Sequence, residues 1–217
     1  MHVALDATRA GAKMPTMQLV CLDLEGVLIP EIWKAVAERT QVEGLLRTTR
    51  DEPDYDVLMN YRIDLLAQHD IRLPLIQEVI GGLTPMPGAQ EFMKWLMSVS
   101  QVIILSDTFA QFAQPLMAQL GFPTLFCHEL IIDPEGRVTG YQLRQDNQKE
   151  KAVRALQSLN FEIIAAGDSY NDLTMLRSAD KGILYCPSEQ FAAENSDLPV
   201  CTEHAELKAL LEKYLAV

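Results

Sequence analysis

The sequence predicts a doubly wound α/β fold: a parallel sheet with helices on both faces, and an all-helical segment inserted directly after the first strand. Three observations predict it. Near-continuous apolar runs recur at 18–22, 101–105 and 162–166, and strands read this way when neither of their faces meets water. Between such runs lie stretches with helical spacing, and strand-helix alternation argues for a parallel sheet. Finally, no strand signal appears between Glu31 and Gly82, so whatever is inserted there is helical.

The first strand delivers Asp23 and Glu25 just before Gly26. After Pro30 the pattern changes. Residues 31–40 (Glu-Ile-Trp-Lys-Ala-Val-Ala-Glu-Arg-Thr), 55–69 and 73–81 read as three helices. Pro85, Pro87 and Gly88 punctuate the return, and a helix over 89–98 leads into the strand at Val102. A helix over 109–120 is stopped by Gly121 and Pro123, and 125–127 is a short strand. Two alternating runs within 129–143 flank Asp133-Pro134-Glu135-Gly136 and read as a hairpin. Helix 149–159, strand 162–166, helix 171–179, strand 182–185 and helix 204–215 complete the alternation. On this reading 17–30 and 82–217 form a core domain and 31–81 a helical one. Residues 1–16 are an extension, expected to be disordered, with Met14 or Met17 as a candidate natural start.

A chain of 217 residues with 48% hydrophobic content can bury a sizeable core. The net charge of −12 argues against nucleic acid and anionic membrane surfaces as partners. It also means that a phosphate ester would need a local cation and a few basic residues. No apolar stretch approaches the ~20 residues of a membrane span, and 1–16 lack the apolar block of a secretory signal. Cys21, Cys127, Cys186 and Cys201 are scattered with no Cys-x-x-Cys pair, which suits reduced thiols in a cytoplasmic protein.

The chemistry concentrates at strand ends, where ligands bind in open parallel sheets. Asp23 and Glu25 lie two apart and so face one side of their strand; one carboxylate can attack while the other moves a proton. The second run ends in Ser106-Asp107, the third in Gly167-Asp168-Ser169-Tyr170-Asn171-Asp172, and Lys149 opens a helical pattern between them. Each has a bland alternative. Paired acids at a strand end often serve as turn and cap residues. Ser106 and Asp168 are plausible helix N-caps, and a helical lysine is usually a solvated one.

Taken in order, the acid pair, serine, lysine and acid cluster resemble the four-motif signature of the haloacid dehalogenase superfamily, from about Met17 onward. That resemblance implies a Rossmann-like core, a cap formed by the insert, and an aspartyl-phosphate mechanism. Asp23 matches the nucleophile and Glu25 the residue that moves the proton. Most relatives have aspartate there; the extra methylene of Glu25 moves the proton donor by ~1.5 Å. Mg2+ is the implied cofactor, held by Asp23, Asp168 and the backbone carbonyl of Glu25, with Asp172 in support. Ser106 and the backbone amide of Asp107 are expected on the phosphate, with Asn171 among the substrate-binding residues. Lys149 matches the lysine that screens phosphate and nucleophile; Arg144, five residues earlier, competes for that role.

A small helical cap at this position is typical of the phosphoserine phosphatase branch. There a cap glutamate reads the substrate ammonium and a cap arginine its carboxylate, which Glu31 and Arg62 match; a surface salt bridge is the bland reading of that pair. Asp-Leu-Glu-Gly-Val-Leu, Pro-Glu-Ile-Trp, Arg-Asp-x-Pro-Asp-Tyr-Asp-Val-Leu-Met and Gly-Asp-Ser-Tyr-Asn-Asp look like the bacterial phosphoserine phosphatases that also pass the phosphoryl group to homoserine. Gly26-Val27 stands where the standard enzymes have Ser-Thr. The implied substrate is O-phosphoserine, with homoserine an alternative acceptor to water, a place in serine or threonine metabolism, and a homodimer left open. Rival readings are a phosphatase for a sugar-derived or methionine-salvage phosphate and a non-catalytic phosphate-binding module. His69, His128 and His204 show no ligand spacing.

Overall fold

The computed structural model describes residues 17–48, 51, 52 and 54–215; the expected extension 1–16 lies outside them. Strand β1 (Met17–Leu22) is followed by helices α1 (Ile32–Thr40), α2 (Tyr55–Gln68), α3 (Leu73–Gly81) and α4 (Ala89–Val99). Next come β2 (Gln101–Phe109), α5 (Ala110–Met117), β3 (Thr124–Ile132), β4 (Val138–Gln142) and α6 (Gln148–Ser158). The chain closes with β5 (Phe161–Gly167), α7 (Leu173–Ser178), β6 (Lys181–Tyr185), α8 (Glu189–Glu194), β7 (Val200–Cys201) and α9 (His204–Leu215).

The strands form one sheet in the order β4-β3-β2-β1-β5-β6-β7, parallel except for the β3–β4 pair. Strand β1 is central, and its residues alternate between two cores. Val20 and Leu22 join Phe92, Leu96, Phe112 and Leu207 on one face; Leu19 and Cys21 join Val153, Met175 and Phe191 on the other. This double burial is why the strand is apolar at every position from Leu19 to Leu22. Ile32, Val36, Met59, Ile76 and Ile80 of the inserted helices belong to the first of these cores.

Register aligns the strand ends. Leu22 lies opposite Ile104 on β2 and Ala166 on β5. Asp23, Ser106 and Asp168, each one or two residues further on, therefore meet at one edge.

Several boundaries differ from the sequence expectation. The short strand at 125–127 and the first hairpin strand are one continuous strand, β3, which pairs with β2 on one side and β4 on the other. Strand β2 runs on to Phe109, opposite His128, so the following helix starts at Ala110 and ends in a 3-10 turn at Ala118–Leu120. Pro115 sits within α5 and cannot donate to the carbonyl of Gln111; Gln77 Nε2 donates there instead, at 3.0 Å. The helix expected at 171–179 opens as a 3-10 turn, Tyr170–Asp172. The helix α8 and the two-residue β7 carry too little periodicity to be foreseen.

Candidate active site

Asp23 is buried one residue beyond β1, its N–H donating to Ala166 O at 3.0 Å. Facing it is Lys149, buried in the first turn of α6, whose Nζ donates to Asp23 Oδ1 at 2.8 Å and Asp172 Oδ1 at 2.6 Å and lies 3.6 Å from Asp107 Oδ2. Burial alone would pull the ammonium down, but the carboxylates of Asp172, Asp23 and Asp107 outweigh it and hold Lys149 well above its ordinary value. Burial, and then the neighbouring Asp172, push Asp23 well up.

Asp172 is fully buried and acts as a clamp: Oδ2 accepts the N–H groups of Asp168 and Ser169, at 3.0 and 3.2 Å, completing a capping box with Ser169. The helix-opening cap is thus Ser169 and not Asp168, whose carboxylate accepts from Ser169 Oγ at 3.3 Å and lies close to that of Asp23. Burial, then Asp172 and Glu31, raise Asp168 to about 7. Asp23, Asp168 and Asp172 each offer a carboxylate oxygen within 4.8 Å of the others. So many negative oxygens with one ammonium are the donor set of a hard cation. Gly26, at φ +79°, lets the turn after β1 pass close to this group: a Cβ there would stand 2.7 Å from Asp168 Cγ.

The Glu25 carboxylate turns away from that group. Its Oε2 accepts the Ile32 N–H at 2.8 Å, the first amide of α1, where orphan donors and the helix dipole favour negative charge. Burial, then repulsion from Glu31, still raise it to about 7. Ser106 is buried, its Oγ accepting the Thr108 N–H at 3.2 Å. Asp107 accepts from Gln148 Nε2 at 3.0 Å and Asn171 Nδ2 at 3.2 Å. Burial opposes its charge, but Lys149 and the donors His128, Gln148 and Asn171 prevail and hold it far below the usual range.

Of the two competing basic residues, Lys149 reaches Asp23. Arg144 instead grips Gln148 Oε1 through Nε and Nη2, at 3.2 and 2.9 Å, and stacks on Phe126 at 4.9 Å. From the helical segment, Arg62 and Glu31 face the same cavity of about 310 Å3 as Asp23, Glu25, Ser106 and Asp168. Arg62 is buried, donates through Nη2 to Arg47 O at 2.7 Å and lies over the Trp33 ring at 4.7 Å; burial lowers it to about 10. No carboxylate of the described residues is salt-bridged to it. Glu31 is exposed at the start of α1 and makes no capping bond.

Sequence reasoning missed His128, Gln148, Tyr55 and Thr108. His128 Nδ1 accepts the Arg144 N–H at 3.1 Å, which leaves the proton on Nε2, 3.6 Å from Asp107 Oδ1. Only the β2–β3 pairing brings it there. Tyr55 donates to Asp107 O at 3.2 Å and, with Asp107 and Asn171, divides the first cavity from a second of about 520 Å3. His204, given no site role, bridges the carbonyls of Val27 and Pro87 at 2.9 and 3.0 Å.

The chain is 55% identical to the phosphoserine phosphatase ThrH of Pseudomonas aeruginosa, over 88% of this chain and 94% of that one. It is equally similar to a phosphoserine phosphatase of Pseudomonas syringae pv. tomato, covering 88% and 81%. Among solved structures, a phospho-aspartyl intermediate analogue of phosphoserine phosphatase superposes with a TM-score of 0.72 at 22% identity, over 87% and 94% of the two chains. That likeness is one of fold. A family model for haloacid dehalogenase-like hydrolases matches residues 17–180, from the strand that presents Asp23 to just beyond α7; the chain belongs to that family.

Proposed function

We propose that this chain is a phosphoserine phosphatase working through an aspartyl-phosphate, with residues 31–81 as the cap over its site. The observation that carries the reading is Lys149 Nζ, buried between Asp23 and Asp172, next to a cavity lined both by Asp23 and by a buried Arg62 that has no carboxylate salt bridge among the described residues. An anionic reacting end and an anionic recognition end fit that pair of cations. The names of the two Pseudomonas relatives support the same substrate.

In the first step an Asp23 oxygen attacks phosphorus while the bond to the serine oxygen breaks, and protonated Glu25 gives that oxygen its proton. In the second, the Glu25 carboxylate takes a proton from the acceptor hydroxyl, which attacks phosphorus and frees Asp23. A Glu25 held near 7 can serve in both forms at neutral pH. Lys149, the Ser106 hydroxyl and the amide of Asp107 are assigned to the phosphate oxygens, with Asn171 beside them. Asp23 and Asp168 would hold Mg2+, with the Glu25 carbonyl, and Asp172 orienting Asp168; bound there, the ion supplies charge that neutralises the phosphoryl oxygens and favours ionised Asp23. Glu31 is assigned to the substrate ammonium and Arg62 to its carboxylate, which an arginine can hold bidentately.

Homoserine is the proposed alternative acceptor, because Glu25 and Gly26-Val27 alter the acceptor side and homoserine carries the same ammonium and carboxylate as serine. The free state of the cysteines supports a cytoplasmic setting. Among the described residues no helix is long and apolar enough to cross a membrane.

Phosphorus NMR of enzyme, phosphoserine and Mg2+ tests this. We expect inorganic phosphate without homoserine and a phosphohomoserine signal beside it when homoserine is added. Asp23→Asn should stay folded and lose both products, because an amide cannot form the acyl phosphate. Phosphate alone at saturating homoserine would remove the transferase half; turnover by folded Asp23→Asn would remove the mechanism.

A further inference from the structure

Strand β2 leaves the regular ladder just where the phosphate is assigned. Its pairing with β1 ends at Ile104. Between the pairs Leu105–Phe126 and Phe109–His128, β2 has Ser106, Asp107 and Thr108 where β3 has Cys127 alone. Regular pairing therefore does not set this stretch of backbone, and buried peptide groups need partners from elsewhere. Side chains supply them. Gln148 Nε2 donates to Ser106 O, and the Tyr55 hydroxyl donates to Asp107 O at 3.2 Å.

Gln148 holds more than that carbonyl. It is 3% exposed, in the first turn of α6 beside Lys149. Nε2 donates also to Asp107 Oδ1, at 3.0 Å, and Oε1 accepts from Arg144 Nε and Nη2, at 3.2 and 2.9 Å. Chemistry fixes which end of the amide faces which neighbour. A guanidinium only donates, whereas a carbonyl and an ionised carboxylate only accept. Turning the amide over would set donors against donors and acceptors against acceptors. The carbonyl it grips belongs to a planar, trans peptide, so the Asp107 N–H points opposite to the Ser106 C=O. Holding the one aims the other, and the Asp107 amide is the one assigned to a phosphate oxygen.

We propose that Gln148 is a positioning residue: from α6 it fixes the plane of the Ser106–Asp107 peptide and so aims the Asp107 amide at the phosphoryl group, with Arg144 keeping the Gln148 amide the right way round. This rests on the phosphate site of the proposed function.

The test compares wild type, Gln148→Met, Arg144→Met and the double variant on phosphoserine and p-nitrophenyl phosphate, with orthovanadate, a mimic of the phosphoryl group in flight, as inhibitor. Methionine keeps the length of Gln148 and removes both polar ends. An aimed amide counts most in the transition state, so Gln148→Met should lower kcat about ten- to a hundredfold. The loss should be the same on both substrates, because the phosphate is common to them, and the Ki of orthovanadate should rise by a similar factor. Arg144→Met, at an exposed position, should lose less in the same direction. Since Arg144 acts through Gln148, the double variant should be no worse than Gln148→Met alone. If Gln148→Met does not fold, as judged by circular dichroism, Arg144→Met carries the same comparison. Unchanged turnover, a loss confined to phosphoserine, or a loss with vanadate inhibition intact would each overturn the proposal, the last by making Gln148 merely structural. Failure of the underlying reading shows separately, in wild type alone, as no phosphate release from either substrate.

Discussion

Lys149, itself buried, places one ammonium among three carboxylates, so its removal has two consequences. Lys149→Met would leave Asp23 and Asp172 as buried, uncompensated acids, and breaking a buried ion pair from one side costs about 3–5 kcal/mol. We expect a clearly lowered Tm together with loss of turnover, measured by calorimetry and phosphate release. A second expectation concerns protons. Glu25 and Asp168, both raised to about 7 chiefly by burial, bind more protons folded than unfolded between pH ~4 and ~7. Their contribution to stability is therefore fully present at acid pH and is lost as pH climbs through 7. Mg2+ competes with the proton on Asp168, so thermal shift by Mg2+ should be larger at pH 8 than at pH 6; equal shifts would detach Asp168 from the ion. At this scale Asp23, Lys149 and Asp168 were legible because each ends or opens an element in a recognisable order. His128 and Thr108 were not. His128 reaches Asp107 through strand pairing, and Thr108 reaches the cavity because β2 runs on past Ser106, which no motif displays.

At the scale of elements, the turn after β1 and the first turn of α1 act together. The turn lets Gly26 pass over Asp168, and the helix start holds Glu25 through the Ile32 amide. Gly26→Ala should destabilise the fold, since φ +79° disfavours any side chain. It should also push the Asp168 carboxylate aside, weakening Mg2+ affinity more than phosphoserine binding. Calorimetric titration of each ligand separates the two. The helical segment is further tied to the β3–β4 hairpin. Leu73 N donates to Gly136 O at 2.9 Å, and Tyr141 donates to the Asp56 carboxylate. Tyr141→Phe should loosen the α2 end of that tie and raise KM for phosphoserine with a smaller effect on kcat, read from steady-state kinetics; an unchanged KM would mean that this contact does not govern access. Helices α3 and α9 were legible to the residue from spacing and stop signals. Strand β3 was misread as two pieces, because Leu125 to Cys127 are uniformly half-buried while His128 to Ile131 alternate buried and exposed beside β4, so one strand carries two patterns.

For the whole molecule, the site sits where β2, β1 and β5 lie side by side at the centre of the sheet, yet its parts are remote along the chain. Lys149 and Asp23 are 126 residues apart. Closing a loop of that length must be met before its contacts return anything, and topologies dominated by such contacts fold slowly. Helices form locally and early, whereas β1 gains its partner β5 only after most of the chain is in place. Recovery of activity after dilution from denaturant should therefore lag behind recovery of the helical circular-dichroism signal, in a separate slower phase. A chain cut before Phe161 should acquire helix and never activity. The order in which this protein assembles is then written into its strand order: the nucleophile's strand comes first in the sequence and is among the last to be enclosed.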